Sequence, residues 1–271
     1  MNTIIGSVPY LNEKPLTRWF HHTLEGRSSN IDVVYAPPSE LALMLRAGDI
    51  DAALVSSFEY FKTPGYTIVP GVSISTQYDV MSVRAFSPIP WKQIESIALD
   101  TSSLTSAALM KILLAEQYQS YPTYIHHRPN LQEMLAIADS ALLIGDNGML
   151  ADGTGLRTLD LGQAWRQLTN LPFVYAVWLA KDVQTADELK APLRLAKAWG
   201  LTQIDEIASD EARRLSCPID LCLHYLTQIM DYDLSESHFE ALDLFGAKAK
   251  SLGLLSETPP ELVKHTSQSA I

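Results

Sequence analysis

Short apolar runs alternate with amphipathic stretches from the start of the chain. Residues 3–8 (TIIGSV) read as a strand, 13–24 as a helix, 31–35 as a strand, 39–47 as a helix and 52–56 as a buried strand. This order predicts an α/β domain with a mainly parallel sheet. Pro37 and Pro38 stop the second strand and suit a first helical turn, where a missing N–H is no loss. Gly48 falls just past the end of that helix, where a left-handed residue is expected.

Between residues 66 and 86 the pattern changes to β-branched runs interrupted by Pro70 and Gly71, with no helical period. Alternation then resumes: strand 96–99, helix 103–117, strand 123–127, helix 131–137 and strand 140–144. The apolar run FVYAVWLA at residues 173–180 is rich in β-formers and predicts a strand that returns the chain to its first half. Helical periodicity dominates from Ala186, and the tail SETPPELVKHTSQSAI is polar and poorly specified. Two lobes are expected. Residues 1–85 begin lobe 1, residues 86–172 form lobe 2, and residues 173–271 supply a return strand and helices that complete lobe 1. Ligands of open α/β sheets bind beyond the carboxyl ends of strands. Polar residues follow five of the predicted strands, at 9–12, 37–40, 56–59, 100–106 and 145–147, so a single cleft between the lobes is expected.

Residues 97–114, IALDTSSLTSAALMKILL, place a hydroxyl cluster where a strand runs into a helix. A helix start has unpartnered N–H groups and the positive end of the dipole, which suits a carboxylate or phosphate. An ordinary N-cap needs a single Ser or Thr, and here Thr101, Ser102, Ser103, Thr105 and Ser106 crowd the junction. An anion cradle is the functional reading and a capped helix the structural one.

The chain carries 20 Lys and Arg against 31 Asp and Glu, a net charge of −11, with no basic window. Nucleic acid is therefore not an expected partner. The same field does not steer an anion from afar, so an anion site has to rest on local N–H groups and hydroxyls. No run approaches the roughly 18 apolar residues of a membrane helix. The N-terminus MNTIIGSVPYLNEKP lacks the features of an export signal, and a cytoplasmic location is expected. Cys217 and Cys222, five apart in a helical stretch, are expected on different faces as reduced core thiols.

Five segments carry a resemblance. They are SVPYLNEKPL (7–16), PPSELALMLRAGDIDAALVSSFEY (37–60), the 97–114 segment, ADSALLIGD (138–146) and DLGQAWRQLTNLPFVYAVW (160–178). In this order they resemble the chorismate dehydratase family of the futalosine route to menaquinone. The related dihydroxynaphthoate synthases typically show SPCPNDT where this chain has VPYLNEKP. The resemblance implies an α/β, two-lobed type II periplasmic-binding-protein-like fold with the ligand between the lobes. It also implies a small dicarboxylate substrate, chorismate, and no metal or organic cofactor. Where family members show Gly-Pro-Val and then a serine, this chain has Tyr78-Asp79-Val80-Met81-Ser82, which keeps the serine. Asp79 is then expected near a dianionic ligand, where like charge disfavours binding. Ser56 stands where a proline is common in the family.

On this basis Asn12 is the candidate catalytic residue, with helix capping as its structural alternative. Ser39, Ser57, Ser82, Thr105, Ser106 and Asp146 are the candidate substrate-binding residues. Ser39 is expected to cap its helix as well. Asp146 is expected either to cap the helix after its strand or to hydrogen-bond a substrate hydroxyl. Asp100 is expected to fix the hydroxyl-rich loop, and Trp165 and Trp178 to pack in the core. The quoted motifs contain no histidine and do not identify a base; one hypothesis is that the substrate's own enolpyruvyl carboxylate takes the proton, with Asn12 holding the reacting groups in place. A non-catalytic binding protein for a small carboxylate is the alternative on the same scaffold. The oligomeric state is not legible.

Overall fold

The structure, a computed structural model, describes residues 2–255. The polar tail that begins at Ser256 lies outside the described residues. The strands are β1 (Thr3–Ser7), β2 (Ile31–Tyr35), β3 (Ala52–Ser56), β4 (Thr67–Thr76), β5 (Arg84–Ser87), β6 (Ser96–Asp100), β7 (Thr123–His127), β8 (Ala141–Leu143), β9 (Arg157–Asp160) and β10 (Phe173–Ala180). The helices are α1 (Lys14–His22), α2 (Leu24–Arg27), α3 (Pro38–Ala47), α4 (Ser57–Lys62), α5 (Thr105–Leu113), α6 (Leu131–Ile137), α7 (Gly145–Leu150), α8 (Leu161–Thr169), α9 (Val183–Leu201), α10 (Ile204–Leu215), α11 (Ile219–His224) and α12 (Glu236–Ser251).

Two five-stranded sheets form, ordered β2-β1-β3-β10-β4 and β7-β6-β8-β5-β9. In the first, β1 pairs in parallel with β2 and β3, while β10 is antiparallel to β3 and β4. The second repeats the scheme: β6 is parallel to β7 and β8, and β5 is antiparallel to β8 and β9. Half of the pairings are thus antiparallel, which corrects the mainly parallel expectation. The cause is the path of the chain. β10 enters the first sheet, and β5 the second, from the opposite half of the molecule and not through a local β-α-β crossover. The crossing from the first sheet to the second occupies the residues between β4 and β5, so the expected boundary at residue 85 falls inside β5.

The central apolar runs become strands where the rest of the fold buries them, while β2 and β7 at the sheet edges stay partly exposed. In β3 every residue is buried, and β10 is nearly so. Gly48 ends α3 with φ +78°, as its position predicts. The helix expected over 13–24 is broken by Thr23, whose extended backbone turns its hydroxyl to accept the Gly26 N–H at 2.8 Å. The helix expected from residue 103 starts at Thr105 because an Asp100 turn holds the two residues before Leu104. Past Leu113 it widens into a π-helical turn, Leu114–Tyr118, closed by Gln119 at φ +53°.

One contiguous apolar core runs through both sheets. Its aromatic centre is Phe245 of α12, 5.1 Å from the ring of Phe173 and 6.0 to 6.2 Å from those of Phe58, Phe61 and Trp165. Trp165 and Trp178 are fully buried, as expected. At its C-terminal end α12 also reaches the second half of the chain through Lys248 and Glu116. The C-terminal helices therefore hold the two sheets together as well as covering the first.

Candidate active site

A cleft opens between the two sheets. The first half of the chain lines it with Val8, Tyr10, Asn12, Leu54 and Ser56, and the crossover contributes Val80 and Ser82. The second half supplies residues 102–106 together with Ile144 and Gly145, and the return path adds Tyr175 and Met230. Among the described residues, none that lines it is Lys, Arg or His. A ligand charge here meets dipoles and hydroxyls in apolar walls, where such groups act more strongly than in water.

Asn12 lies in a single 3-10 turn, Leu11–Glu13, and makes no cap bond. Its amide Nδ2 donates to the Tyr225 hydroxyl at 3.2 Å, and its Oδ1 is buried without a partner. Tyr225 in turn donates to Ser82 Oγ at 2.8 Å. Asn12 and Ser82, 70 positions apart in sequence, are thus joined through one buried phenol. Burial pushes the Tyr225 pKa well up, so it stays a neutral donor.

The backbone around Ser82 is held from three sides. Met81 takes φ +57°, and the Ser82 N–H bonds the Val80 carbonyl at 2.6 Å. The Asp160 carboxylate accepts the N–H groups of Val80, Met81 and Gln163 at 2.8 to 3.1 Å. Burial raises the Asp160 pKa, and these N–H groups oppose the rise. Gly148 of α7 packs so closely that a Cβ there would stand 2.2 Å from the Ser82 carbonyl oxygen.

The hydroxyl cluster divides its work. Asp100 Oδ1 accepts from the Ser102 N–H at 2.9 Å and from its hydroxyl at 2.6 Å, fixing the loop as expected. Thr105 Oγ1 donates to the Tyr175 carbonyl at 3.0 Å and accepts from the Phe58 N–H at 3.3 Å and from Ser56 Oγ. Thr105, which lines the cleft, is through these bonds also a tether between α5, α4 and β10. Ser103 and Ser106 line the cleft, and the Ser103 hydroxyl is buried without a partner. The first i to i−4 bond of α5 runs from the Ala108 N–H to the Leu104 carbonyl, so the preceding amides of this turn have no intrahelical acceptor. The polar groups that this junction leaves open on the cleft are therefore these amides with Ser103 and Ser106.

Three other expected ligand residues stand elsewhere. Ser39 is exposed in the first turn of α3, whose N-cap is Pro37, so it neither caps nor reaches the cleft; Pro38 lines it instead. Ser57 is fully buried and donates to the Val174 carbonyl at 2.7 Å, while its neighbour Ser56 faces the cleft. Asp146 accepts the Leu11 N–H at 3.1 Å and binds Arg214 at 2.7 Å; Gly145 is the residue on the cleft. Asp146 thus ties α7 to the loop that carries Asn12. Asp79 lies outside the cleft as well, in a separate cavity with Asp231 and Asp233. Its charge still acts on the Tyr175 phenol, which lines the cleft.

Cys217 and Cys222 are also corrected. Cys217 precedes α11, beyond a left-handed Ser216 that ends α10, and its sulfur lies 3.5 Å from that of Cys222. Tyr225 and Tyr175 were not legible in sequence, since aromatic residues in apolar stretches read as core. Tyr10 lies in the quoted SVPYLNEKPL segment, and only its place after a strand marked it.

Two α/β sheets that exchange strands β5 and β10 around a ligand cleft define a protein of the periplasmic-binding-protein-like fold. A protein from Archaeoglobus fulgidus superposes with a TM-score of 0.76 at 18% identity, covering 94% of this chain and 98% of that one. The periplasmic aliphatic sulphonate binding protein of Escherichia coli does so at 0.67 and 15%, covering 95% and 94%. Within that fold, the family model described as menaquinone biosynthesis matches residues 3–251. The chain is 34% identical to a chorismate dehydratase of Thermus thermophilus, over 93% of this chain and 95% of that protein. It is 26% identical to a chorismate dehydratase of Campylobacter jejuni, over 93% and 99%. The chain belongs to this menaquinone biosynthesis family. Among the described residues no helix is long and apolar enough to cross a membrane.

Proposed function

We propose that this chain is a chorismate dehydratase, a carbon–oxygen hydro-lyase that forms 3-[(1-carboxyvinyl)oxy]benzoate and water on the futalosine route. What carries the reading is the meeting of Asn12 and Ser82 on one cleft in a chain 34% identical to such an enzyme. Chorismate has a hydroxyl on the ring carbon next to the one that bears the enolpyruvyl ether. Loss of the ether carbon's proton and of that hydroxyl makes the ring aromatic, which drives the reaction.

The proton removed is allylic and vinylogous to the ring carboxylate, so the electron pair it leaves delocalises into that group before hydroxide departs. Catalysis then depends on donors placed where negative charge accumulates. Ser82, Ser103, Ser106 and the first amides of α5 are the donors available on this cleft. The substrate's enolpyruvyl carboxylate takes the proton and passes it to the departing hydroxide, which leaves as water, and Asn12 holds the reacting groups in register. Closure of the two halves excludes water and strengthens these bonds. A biosynthetic role of this kind fits action in the cytoplasm, and the paired thiols Cys217 and Cys222 fit a reducing compartment.

The test is incubation of the purified protein with chorismate, followed by ultraviolet spectrum and product mass. Appearance of the enolpyruvyl benzoate, lighter by one water, supports the reading. Folded protein that binds chorismate and leaves it intact supports a carboxylate-binding protein instead. Asn12→Ala with full turnover removes Asn12 from the mechanism.

A further inference from the structure

We propose that Tyr225 is a positioning residue of this site, one that makes Ser82 a donor and Asn12 an acceptor toward the substrate. The inference rests on the dehydratase reading and deepens it. Tyr225 is 1% exposed, so its hydroxyl is satisfied by protein alone. Its single proton goes to Ser82 Oγ at 2.8 Å, and its oxygen accepts an N–H of Asn12 at 3.2 Å. Ser82 therefore spends a lone pair on the phenol and keeps its own proton for a partner in the cleft. Asn12 spends an amide hydrogen, which fixes the flip of its carboxamide and leaves the buried, unpartnered Oδ1 as an acceptor. Without the phenol both side chains are free to rotate, and neither polarity is set.

The fold delivers this hydroxyl with care. Tyr225 opens a π-helical turn, Tyr225–Ile229, that follows α11. The segment after it is pinned to β4, where the Ser73 N–H bonds the Tyr232 carbonyl at 3.1 Å and the Ser75 N–H bonds the Asp231 carbonyl at 2.9 Å. Met230, between them, lines the cleft. The C-terminal helices thus place one phenol behind two groups that come from the first half and from the crossover.

Tyr225→Phe keeps the ring and removes only the hydroxyl. We expect kcat for chorismate dehydration to fall about tenfold or more with KM changed less than about threefold, the signature of a contact that matters chiefly in the transition state. In a Ser82→Ala background the same change should add less than about twofold, because the two groups act as one unit. Full activity in Tyr225→Phe, or additive losses in the double variant, would each overturn the inference while wild-type turnover leaves the dehydratase reading standing. A wild-type protein that leaves chorismate intact in the same assay overturns both.

Discussion

Thr105→Val separates a structural hydroxyl from a ligand-binding one. Valine matches threonine in shape, so the change opens no cavity and removes only the polar contacts. The Tyr175 carbonyl, the Phe58 N–H and the Ser56 hydroxyl each lose a partner. A buried polar group left unsatisfied costs about 1–3 kcal/mol. Ser56 lines the cleft and can turn to water there, and the Phe58 bond is long at 3.3 Å. The Tyr175 carbonyl therefore dominates, and a total loss of about 2–3 kcal/mol is expected. For a chain of this size 1 kcal/mol corresponds to roughly 2–4 °C, so Tm should drop by about 4–12 °C. Thermal and urea unfolding of wild type, Thr105→Val and Thr105→Ser measure this directly; the serine variant keeps the hydroxyl and should retain most of the stability. A Thr105→Val protein that melts within about 1 °C of wild type but has a raised KM would refute the tether and restore the ligand contact.

Asp231 offers a pH signature. Burial pushes its pKa up, but hydrogen bonds from His238, Gln77 and the Asp233 N–H outweigh this and hold it at about 2, below the usual 3.8. The folded value is depressed, so the contribution is present above about pH 4 and is lost as pH falls toward 2; Asp231→Asn should cost about 2 kcal/mol at neutral pH, with the gap to wild type closing in acid unfolding curves. Phe245→Ala removes the ring shared by α4, α8 and β10 and should cost about 3–5 kcal/mol in urea unfolding, with loss of turnover at temperatures where the first variant still folds. Treatment with diamide should join Cys217 to Cys222, read as loss of both thiols to a thiol reagent. Cys222→Ser should abolish the crosslink, and unreacted thiols in the unfolded, diamide-treated wild type would count against their proximity.

β3 and β10 were legible because burial on both faces imposes unbroken apolar runs, and β2 and β7, partly exposed at the sheet edges, through their β-branched and aromatic residues; the predicted and observed bounds of all four coincide. Sheet direction was not, because it depends on where the chain crosses between halves, and no local pattern records that. The strand ends located the cleft but did not give orientation within it. Ser56 faces the ligand space and Ser57 turns to the Val174 carbonyl; Gly145 lines the cleft and Asp146 turns to Arg214. Adjacent residues at a strand-to-helix junction point in different directions, so a polar segment is an address for two faces at once. Ser39 failed for a related reason: Pro37 took the cap position, which moved the hydroxyl round to solvent. Asn12 and Ser82 were legible through family motifs and lie on the cleft, while Tyr225 sits in a helical stretch whose apolar pattern hides its hydroxyl.

The position of that phenol explains a feature of the architecture. Asn12 follows β1, Ser82 lies in the crossover before β5, and Tyr225 comes from the C-terminal helices. None of these segments can order the other two alone, since each meets its partners only across the cleft. The cleft floor is therefore complete only with β10 and α11 in place, and its geometry depends on the same packing that joins the sheets through Phe245. A binding protein can tolerate a loose hinge, because its ligand bridges the halves. A dehydratase needs its donor and acceptor set before the substrate arrives, since a misplacement of about 1 Å can cost 100-fold in rate. Carrying the orienting hydroxyl on the helices that lock the two sheets together meets that need.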